Sequence, residues 1–287
     1  MSAMLLFSKM HGLGNDFIVI DRLSQKFPDL TISQRRFLAN RHRGIGCDQL
    51  LMVEESKTEG IDFKYRIFNS DGGEVSQCGN GARCFARFVY SKGLTQKKVI
   101  VVETSSGIIT LTIEDVGKTV TVEMAPPDFD PKQIPFEVEH QVKVYDLTLS
   151  DDRKVCLGVL SMGNPHAVMV VNDINATDVA LLGPMIESHT NFPERVNVGF
   201  MQVLNKSEVI VRVYERGVGE TQACGTGACA AVVHGIQLGL LGSKVKVNLT
   251  GGELDIVWMG QQAPVWMSGP AMHVFDGEIE WATLSSQ

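Results

Sequence analysis

The chain has 287 residues, 44% of them apolar and 21% charged, and carries a net charge of −7 with no block of Lys and Arg. This composition excludes a disordered, collagen-like or coiled-coil protein, and its acidic balance offers no phosphate-tracking surface to nucleic acid or to anionic lipid. At ~150 residues per domain the length suggests two domains, each long enough to bury its own core. No apolar run approaches the ~20 residues of a membrane-spanning helix. The segment Met1 to Met10 holds a short apolar patch, Met4 to Phe7, without a cationic lead or a small-residue cleavage site, so the expectation is a cytoplasmic protein. Six cysteines occur without CxxC or Cys/His zinc spacing and read as thiols of a reducing compartment.

In chain order, period-two alternation predicts strands at Asp16 to Asp21, Ile61 to Phe68, Val99 to Glu103 and Ile108 to Glu114. A helix is predicted from Ser33 to His42, with Ser33 as N-cap and Gly44 closing it. Pro126, Pro127, Pro131 and Pro135 then crowd one stretch, Ala125 to Pro135. Proline cannot donate to a sheet ladder, so this stretch reads as a connector between two folding units, 1–124 and 125–272. Beyond it, strands are predicted near Val142 to Leu149, Val155 to Leu160 and His166 to Val171, followed by a helix at Asp178 to Ser188. Strands at Val198 to Leu204 and Glu208 to Tyr214, a helix at Gly227 to Leu240, and paired strands at Lys244 to Thr250 and Glu253 to Trp258 complete the list. Strand-rich halves with one or two helices each predict an α+β fold of two pseudo-symmetric domains.

The halves also match residue by residue. Aligned on Cys78 and Cys224, the run Asn69 to Ala82 faces Glu215 to Ala228, with identities at Gly73/Gly219, Glu74/Glu220, Cys78/Cys224, Gly79/Gly225, Gly81/Gly227 and Ala82/Ala228. Upstream, Gly46 to Gln49 parallels Gly199 to Gln202, and Asn15 before one strand parallels Asn164 before another. The pattern reads as an ancient duplication.

In each copy a glycine-rich turn runs into a helix with a cysteine at its start. That position meets unpaired backbone N–H groups and the positive end of the helix dipole, which favours a thiolate. The same N–H groups can bind a carboxylate, and glycine lets a ligand approach the backbone closely. The helix after Cys224 is apolar nearly all round and is predicted to be buried. The helix after Cys78 carries Phe85, Phe88 and Val89 on one side and Arg83 and Arg87 on the other. A mixed, mostly antiparallel sheet curled round each central helix would satisfy both, and would leave the helix N-termini open towards an interdomain cleft. Two equivalent sulfurs across one cleft suit inversion at a carbon bearing hydrogen: one face needs a base, the other an acid, and a thiolate–thiol pair exchanges these roles on reversal. No P-loop, dinucleotide fingerprint or metal-ligand cluster is present.

Asn69 to Arg83 closely resembles the signature of the diaminopimelate epimerases, and Ala223 to Ala228 their second half-site. Lys9 to Phe17, Gly44 to Gln49, Gly163 to His166, Arg195 to Asn197 and Glu215-Arg216 fit as well; Gly73 departs from the usual Ser. The resemblance implies a cofactor-independent enzyme that interconverts LL- and meso-diaminopimelate in lysine and cell-wall precursor synthesis. It implies Cys78 and Cys224 as the acid/base pair. It implies that Gly79, Asn80, Gly225 and Thr226 hold the carboxylate of the reacting end. Asn15, Gln49, Asn69, Asn164, Asn197, Glu215 and Arg216 would recognise the substrate, with Glu215 also tuning the sulfurs; His166, at the start of a strand, reads either as a modulator of a nearby sulfur's pKa or as a satisfied structural histidine. It further implies that the C-terminal segment, 273–287, returns to the first domain, and that the protein is a homodimer.

Other readings stand beside this one. A proline or hydroxyproline racemase shares the duplicated design, but Glu215-Arg216 and Asn80 to Arg83 point to a substrate with two zwitterionic ends. A thiol redox protein would use Cys78 and Cys224 as a switchable disulfide, and an amino acid binding module would need no thiols. Cys47, Cys84, Cys156 and Cys229 read as small buried hydrophobes, and His234 as a core histidine.

Overall fold

The computed structural model describes residues 4–75, 78–114 and 118–285, so Ser76 and Gln77 of the repeated motif lie outside the described residues. In chain order the elements are β1 (Met4–Gly12), β2 (Asn15–Asp21), α1 (Ile32–Ala39), β3 (Gln49–Glu54), β4 (Phe63–Asn69), β5 (Glu74–Val75), α2 (Gly79–Ser91), β6 (Val99–Thr104), β7 (Gly107–Glu114) and β8 (Thr119–Met124). They continue with β9 (Tyr145–Thr148), β10 (Lys154–Ser161), β11 (Pro165–Val171), α3 (Val179–Glu187), β12 (Asn197–Asn205), β13 (Glu208–Glu215), β14 (Gly219–Thr221) and α4 (Gly225–Gln237). The chain closes with β15 (Lys244–Leu249), β16 (Gly252–Trp258), β17 (Val265–Pro270), β18 (Met272–Glu280) and α5 (Trp281–Ser285). Two compact units result, one of residues 1–122 and 269–287, the other of residues 123–268, so the chain changes unit inside β8 and again inside β17.

In the first unit β1 pairs antiparallel with β2, β2 parallel with β3, and β3 antiparallel with β4. Strand β4 then takes β5 antiparallel and β6 parallel, and β6 takes β7 antiparallel. The second unit repeats this order: β10–β11 antiparallel, β11–β12 parallel, β12–β13 antiparallel, β13–β14 antiparallel, β13–β15 parallel and β15–β16 antiparallel. Helix α2 packs on β1, β2, β3 and β7, and α4 on β10, β11, β12, β13, β15 and β16. Each central helix is therefore wrapped by strands of its own unit, the α+β arrangement expected.

Residues that face away from α2 build a second layer. Ile18, Ile20, Leu50, Met52 and Phe68 pack with Leu38 and Ala39 of α1 and with Leu284 of α5. In the second unit Val155, Leu157, Ala167, Val198 and Phe200 pack with Val179 and Ile186 of α3. Inner strands thus bury both faces, which gives near-continuous apolar runs instead of alternation.

The structure corrects several local expectations. Helix α1 starts from Thr31, whose side chain accepts from the Gln34 N–H in a capping box, and not from Ser33. Cys156 is exposed on β10, where its sulfur donates to Asp146 Oδ1 at 3.0 Å. Arg83 lies on the inner side of α2 and is fully buried. Among the described residues, no helix is long and apolar enough to cross a membrane.

Candidate active site

The two half-sites are built by the same local devices. A tight turn ends in a left-handed glycine immediately before each asparagine: Gly14 (φ 87°) precedes Asn15 and Gly163 (φ 88°) precedes Asn164. In the first unit the turn is the two-residue hairpin Leu13-Gly14 between β1 and β2, with Leu13 also at positive φ (57°). Each asparagine thus sits at the mouth of a strand whose neighbours supply the next polar groups. Phe17 pairs with Gln49, and Gln49 with Asn69; His166 pairs with Asn197, and Val198 beside it with Tyr214, next to Glu215. This register corrects the upstream repeat, because Gln49 corresponds to Asn197 and not to Gln202. Asn69 correspondingly matches Glu215.

Each cysteine is the N-cap of its central helix, with extended backbone, and its sulfur accepts the N–H of the third helical residue. Cys78 Sγ accepts from Gly81 and Cys224 Sγ from Gly227, both at 3.4 Å. This is the N-cap bond usually made by a Ser, Thr, Asp or Asn oxygen. A thiolate answers the N–H and the dipole better than a thiol does. The backbone N–H groups of the first helical turn have no partner within the helix. Gly79, Asn80, Gly225 and Thr226 occupy those positions.

In the first unit Cys78 donates to Asn15 Oδ1 at 3.6 Å, and Asn80 Nδ2 donates to the same oxygen at 3.4 Å. Asn15 Nδ2 in turn donates to Asp48 Oδ2 at 3.0 Å. Behind them Arg83 donates to Asn80 Oδ1 at 2.8 Å, to Gly79 O at 3.4 Å and to Pro270 O at 3.2 Å. Gln49 Nε2 donates to Asn69 Oδ1 at 2.8 Å. Asp48 and Asp16 share Arg41, and Asp16 also binds Lys9 at 2.6 Å. Burial would raise the Asp16 carboxyl, but hydrogen bonds from Arg41 and Lys9 outweigh it and hold it well below the usual carboxylate range.

In the second unit Cys224 Sγ lies 3.5 Å from Thr226 Oγ1, which accepts from Asn164 Nδ2 at 3.3 Å. Asn164 Oδ1 lies 3.0 Å from His166 Nε2. His166 is fully buried, and burial together with the Arg216 charge pushes its pKa down to about 3, so the ring is neutral at pH 7. Its Nδ1 has no hydrogen-bond partner among the described residues. A bare acceptor is cheaper to bury than a bare N–H, which puts the ring proton on Nε2, donating to Asn164. Asn197 Nδ2 donates to Pro165 O at 2.8 Å and its Oδ1 accepts the Arg216 N–H at 3.0 Å. The Arg216 guanidinium donates to Glu194 O at 3.1 Å, and Glu215 accepts from the Thr221 hydroxyl.

Within each unit the predicted residues therefore gather at one end of three adjacent strands and the start of one helix. Asn15, Gln49, Asn69, Cys78, Gly79 and Asn80 belong to the first; Asn164, His166, Asn197, Glu215, Arg216, Cys224, Gly225 and Thr226 to the second. Two residues escaped the sequence reading. Arg83 looked like a surface cation because its four-residue spacing from Arg87 mimics a polar helix stripe. Asp48 sits in the Gly44 to Gln49 motif, but only the fold shows that it meets Asn15.

The family model described as diaminopimelate epimerase matches residues 7–129 and 158–274. A diaminopimelate epimerase of Nitrosospira multiformis is 56% identical over 276 residues, covering 96% of this chain and 98% of its own. Among solved structures, a hydroxyproline epimerase of Agrobacterium vitis with bound trans-4-hydroxy-L-proline shares the fold, with TM-score 0.71 and 16% identity over 98% of this chain and 94% of its own. A phenazine biosynthesis protein of the PhzF family from Bacillus anthracis does so with TM-score 0.64 and 15% identity over 96% of this chain and 99% of its own. With its signature cysteines capping matched helices and its relationship running nearly end to end, the chain belongs to the diaminopimelate epimerase family.

Proposed function

We propose that this chain interconverts LL- and meso-diaminopimelate by a two-base reaction in which Cys78 and Cys224 work from opposite faces of one α-carbon. The observation that carries the reading is the repeated N-cap cysteine, a sulfur held by the N–H of the third residue of a buried helix in both units. As a thiolate, one sulfur removes the α-hydrogen as a proton. The other, as a thiol, delivers its proton to the opposite face, so the enzyme's proton count is unchanged and the two sulfurs exchange states. Negative charge on the α-carboxylate grows as the C–H bond breaks. The first-turn N–H groups of Gly79, Asn80, Gly225 and Thr226 are fixed dipoles suited to that charge, with no reorganisation needed at the moment of reaction. This assignment of the chemistry to the protein's own groups requires no cofactor.

At the distal end, Arg216 supplies a guanidinium for a carboxylate and Glu215 a carboxylate for an ammonium. Asn15, Gln49, Asn69, Asn164 and Asn197 supply the amides. His166, neutral and buried, acts by orienting Asn164 and, through it, Thr226. Such a reaction serves lysine and peptidoglycan precursor synthesis and places the protein in the cytoplasm. We assign it a homodimer through β18, which pairs with β1 and exposes Met272, Val274 and Phe275. An apolar, exposed strand of this kind is a template for self-pairing about a twofold axis.

The test is to offer the purified enzyme LL-diaminopimelate and L-proline separately, without added cofactor, and to follow stereochemistry. Inversion of the first substrate alone supports the reading. Inversion of proline at a comparable rate would favour the racemase alternative.

A further inference from the structure

We propose that Asp48 is a positioning residue for Cys78: by holding the amide nitrogen of Asn15, it keeps the carbonyl oxygen of that amide turned to the sulfur, where it accepts from the thiol. The proposal rests on the reading of Cys78 as an acid/base group and adds to it a device that sets how readily that group holds its proton.

Asn15 can present either C=O or NH₂ to Cys78, and these have opposite effects: an oxygen is satisfied by S–H and repels a thiolate, whereas an NH₂ is satisfied by a thiolate. Asp48 removes the choice. Its Oδ2 accepts both Asn15 Nδ2 and the Asp16 backbone N–H at 3.0 Å, while Oδ1 accepts from Arg41 at 2.8 Å. A carboxylate paired with Arg41 offers only acceptors, so the end of Asn15 that faces it must be NH₂. Asn15 Oδ1 is thereby left to Cys78 at 3.6 Å and to Asn80 Nδ2 at 3.4 Å. Arg83, donating to Asn80 Oδ1 at 2.8 Å, fixes the Asn80 amide in the complementary sense. The Cys224 half-site uses a hydroxyl in this place: Thr226 accepts from Asn164, which leaves its own hydrogen to donate to sulfur.

Other groups act on Cys78 and must be separated from this effect. Tyr65 of β4 and Cys84 of α2 both feel a charge on it, and Arg83 is a buried cation at the fifth residue of the same helix. Around Asp48 stand Arg41, Asp16 and, through Asp16, Lys9. Removing Asp48 also removes a negative charge, which by itself would ease ionisation of Cys78. A double-mutant cycle through Asn15 separates the two routes.

The experiment is pH-dependent alkylation of the ligand-free protein with iodoacetamide, followed peptide by peptide by mass spectrometry. Burial pushes the thiols of Cys47 and Cys84 up to about 12, so neither competes with Cys78 near neutrality. Asp48→Asn lets the Asn15 amide turn over and lowers the Cys78 midpoint by about half to one pH unit, the span of one exchanged hydrogen bond. Asn15→Ala lowers it comparably, and adding Asp48→Asn to Asn15→Ala gives a further shift well below that of Asp48→Asn in the parent, the part due to lost charge alone. An unchanged midpoint in Asp48→Asn, or a shift that survives intact in the Asn15→Ala background, overturns the proposal. Failure of the two-base reading itself would appear separately, as turnover retained by Cys78→Ser.

Discussion

Gly81 and Gly227 occupy equivalent places, the third residue of each central helix and the donor to each sulfur, yet the surroundings predict unequal tolerance to a methyl group. A Cβ on Gly81 would lie 2.5 Å from Tyr65 Oη and 3.3 Å from both Leu51 Cδ2 and Phe17 Cε1. Tyr65 is 2% exposed and its hydroxyl has no hydrogen-bond partner among the described residues, so the ring is held by packing and cannot swing aside. A Cβ on Gly227 meets Val213 methyls at 3.0 and 3.2 Å and Cys224 Sγ at 3.3 Å, contacts that a few tenths of an ångström relieve. Overpacking of the first kind costs about 2 to 3 kcal/mol and of the second about 1 kcal/mol or less. In a chain of this size the difference is several degrees in melting temperature. The discriminating step is rescue. Tyr65→Phe removes the clashing oxygen and, because that oxygen is buried without a partner, stabilises the parent by about 1 kcal/mol. Thermal and urea denaturation of Gly81→Ala, Gly227→Ala, Tyr65→Phe and the Tyr65→Phe/Gly81→Ala pair should therefore show strong non-additivity. Equal losses for the two glycine variants, or a double variant no more stable than Gly81→Ala, would refute the packing described for α2.

Further outcomes follow from the same geometry. Arg83→Ala strands the acceptors on Asn80, Gly79 and Pro270, and should cost roughly 3 kcal/mol in chemical denaturation. Arg83→Lys, which keeps the charge and fewer bonds, should lose less. His166 and His234 are both pushed down by burial, to about 3 and about 4 respectively. The unfolded chain therefore binds protons below pH ~6.5 that the native state refuses, and stability falls as pH drops from ~6.5 towards 4. His234→Gln should flatten that slope in urea titrations at successive pH values; an unchanged slope contradicts it. Phe275→Asp on β18 should convert the proposed homodimer to monomer in sedimentation velocity, and a dimer of undiminished affinity would exclude that strand as the interface.

Much of the architecture is legible in the sequence because the outer strands alternate and the two halves share a motif. Strand β7, for example, buries Ile109, Leu111 and Ile113 on one side only. Strand β3 does not announce itself, because Gln49–Glu54 is sandwiched between α2 and α1 and its interior reads as an unbroken apolar run. Strands β1 and β18 are hidden for a different reason: their ladder joins residues more than 260 positions apart, a pairing no local pattern encodes. The cysteines of the candidate site were visible through glycine context and duplication. Gln49 was matched to the wrong partner because short identity, Gly followed three residues later by Gln, outvoted strand register. Helix periodicity sets Arg83 opposite the apolar side of its helix, and nothing local in Gly44 to Gln49 marks Asp48. Only the long-range contacts of Arg83 with Pro270 and of Asp48 with Asn15 give these two a purpose.

In the proposed reaction two sulfurs divide the work of inverting one carbon. Its most direct test is single-turnover inversion of LL-diaminopimelate in D₂O by the parent enzyme, Cys78→Ser and Cys224→Ser, each checked for native folding. The parent should yield meso product carrying one solvent deuterium at the inverted carbon, and each variant should lose inversion by orders of magnitude. Near-native inversion by either serine variant would contradict the account.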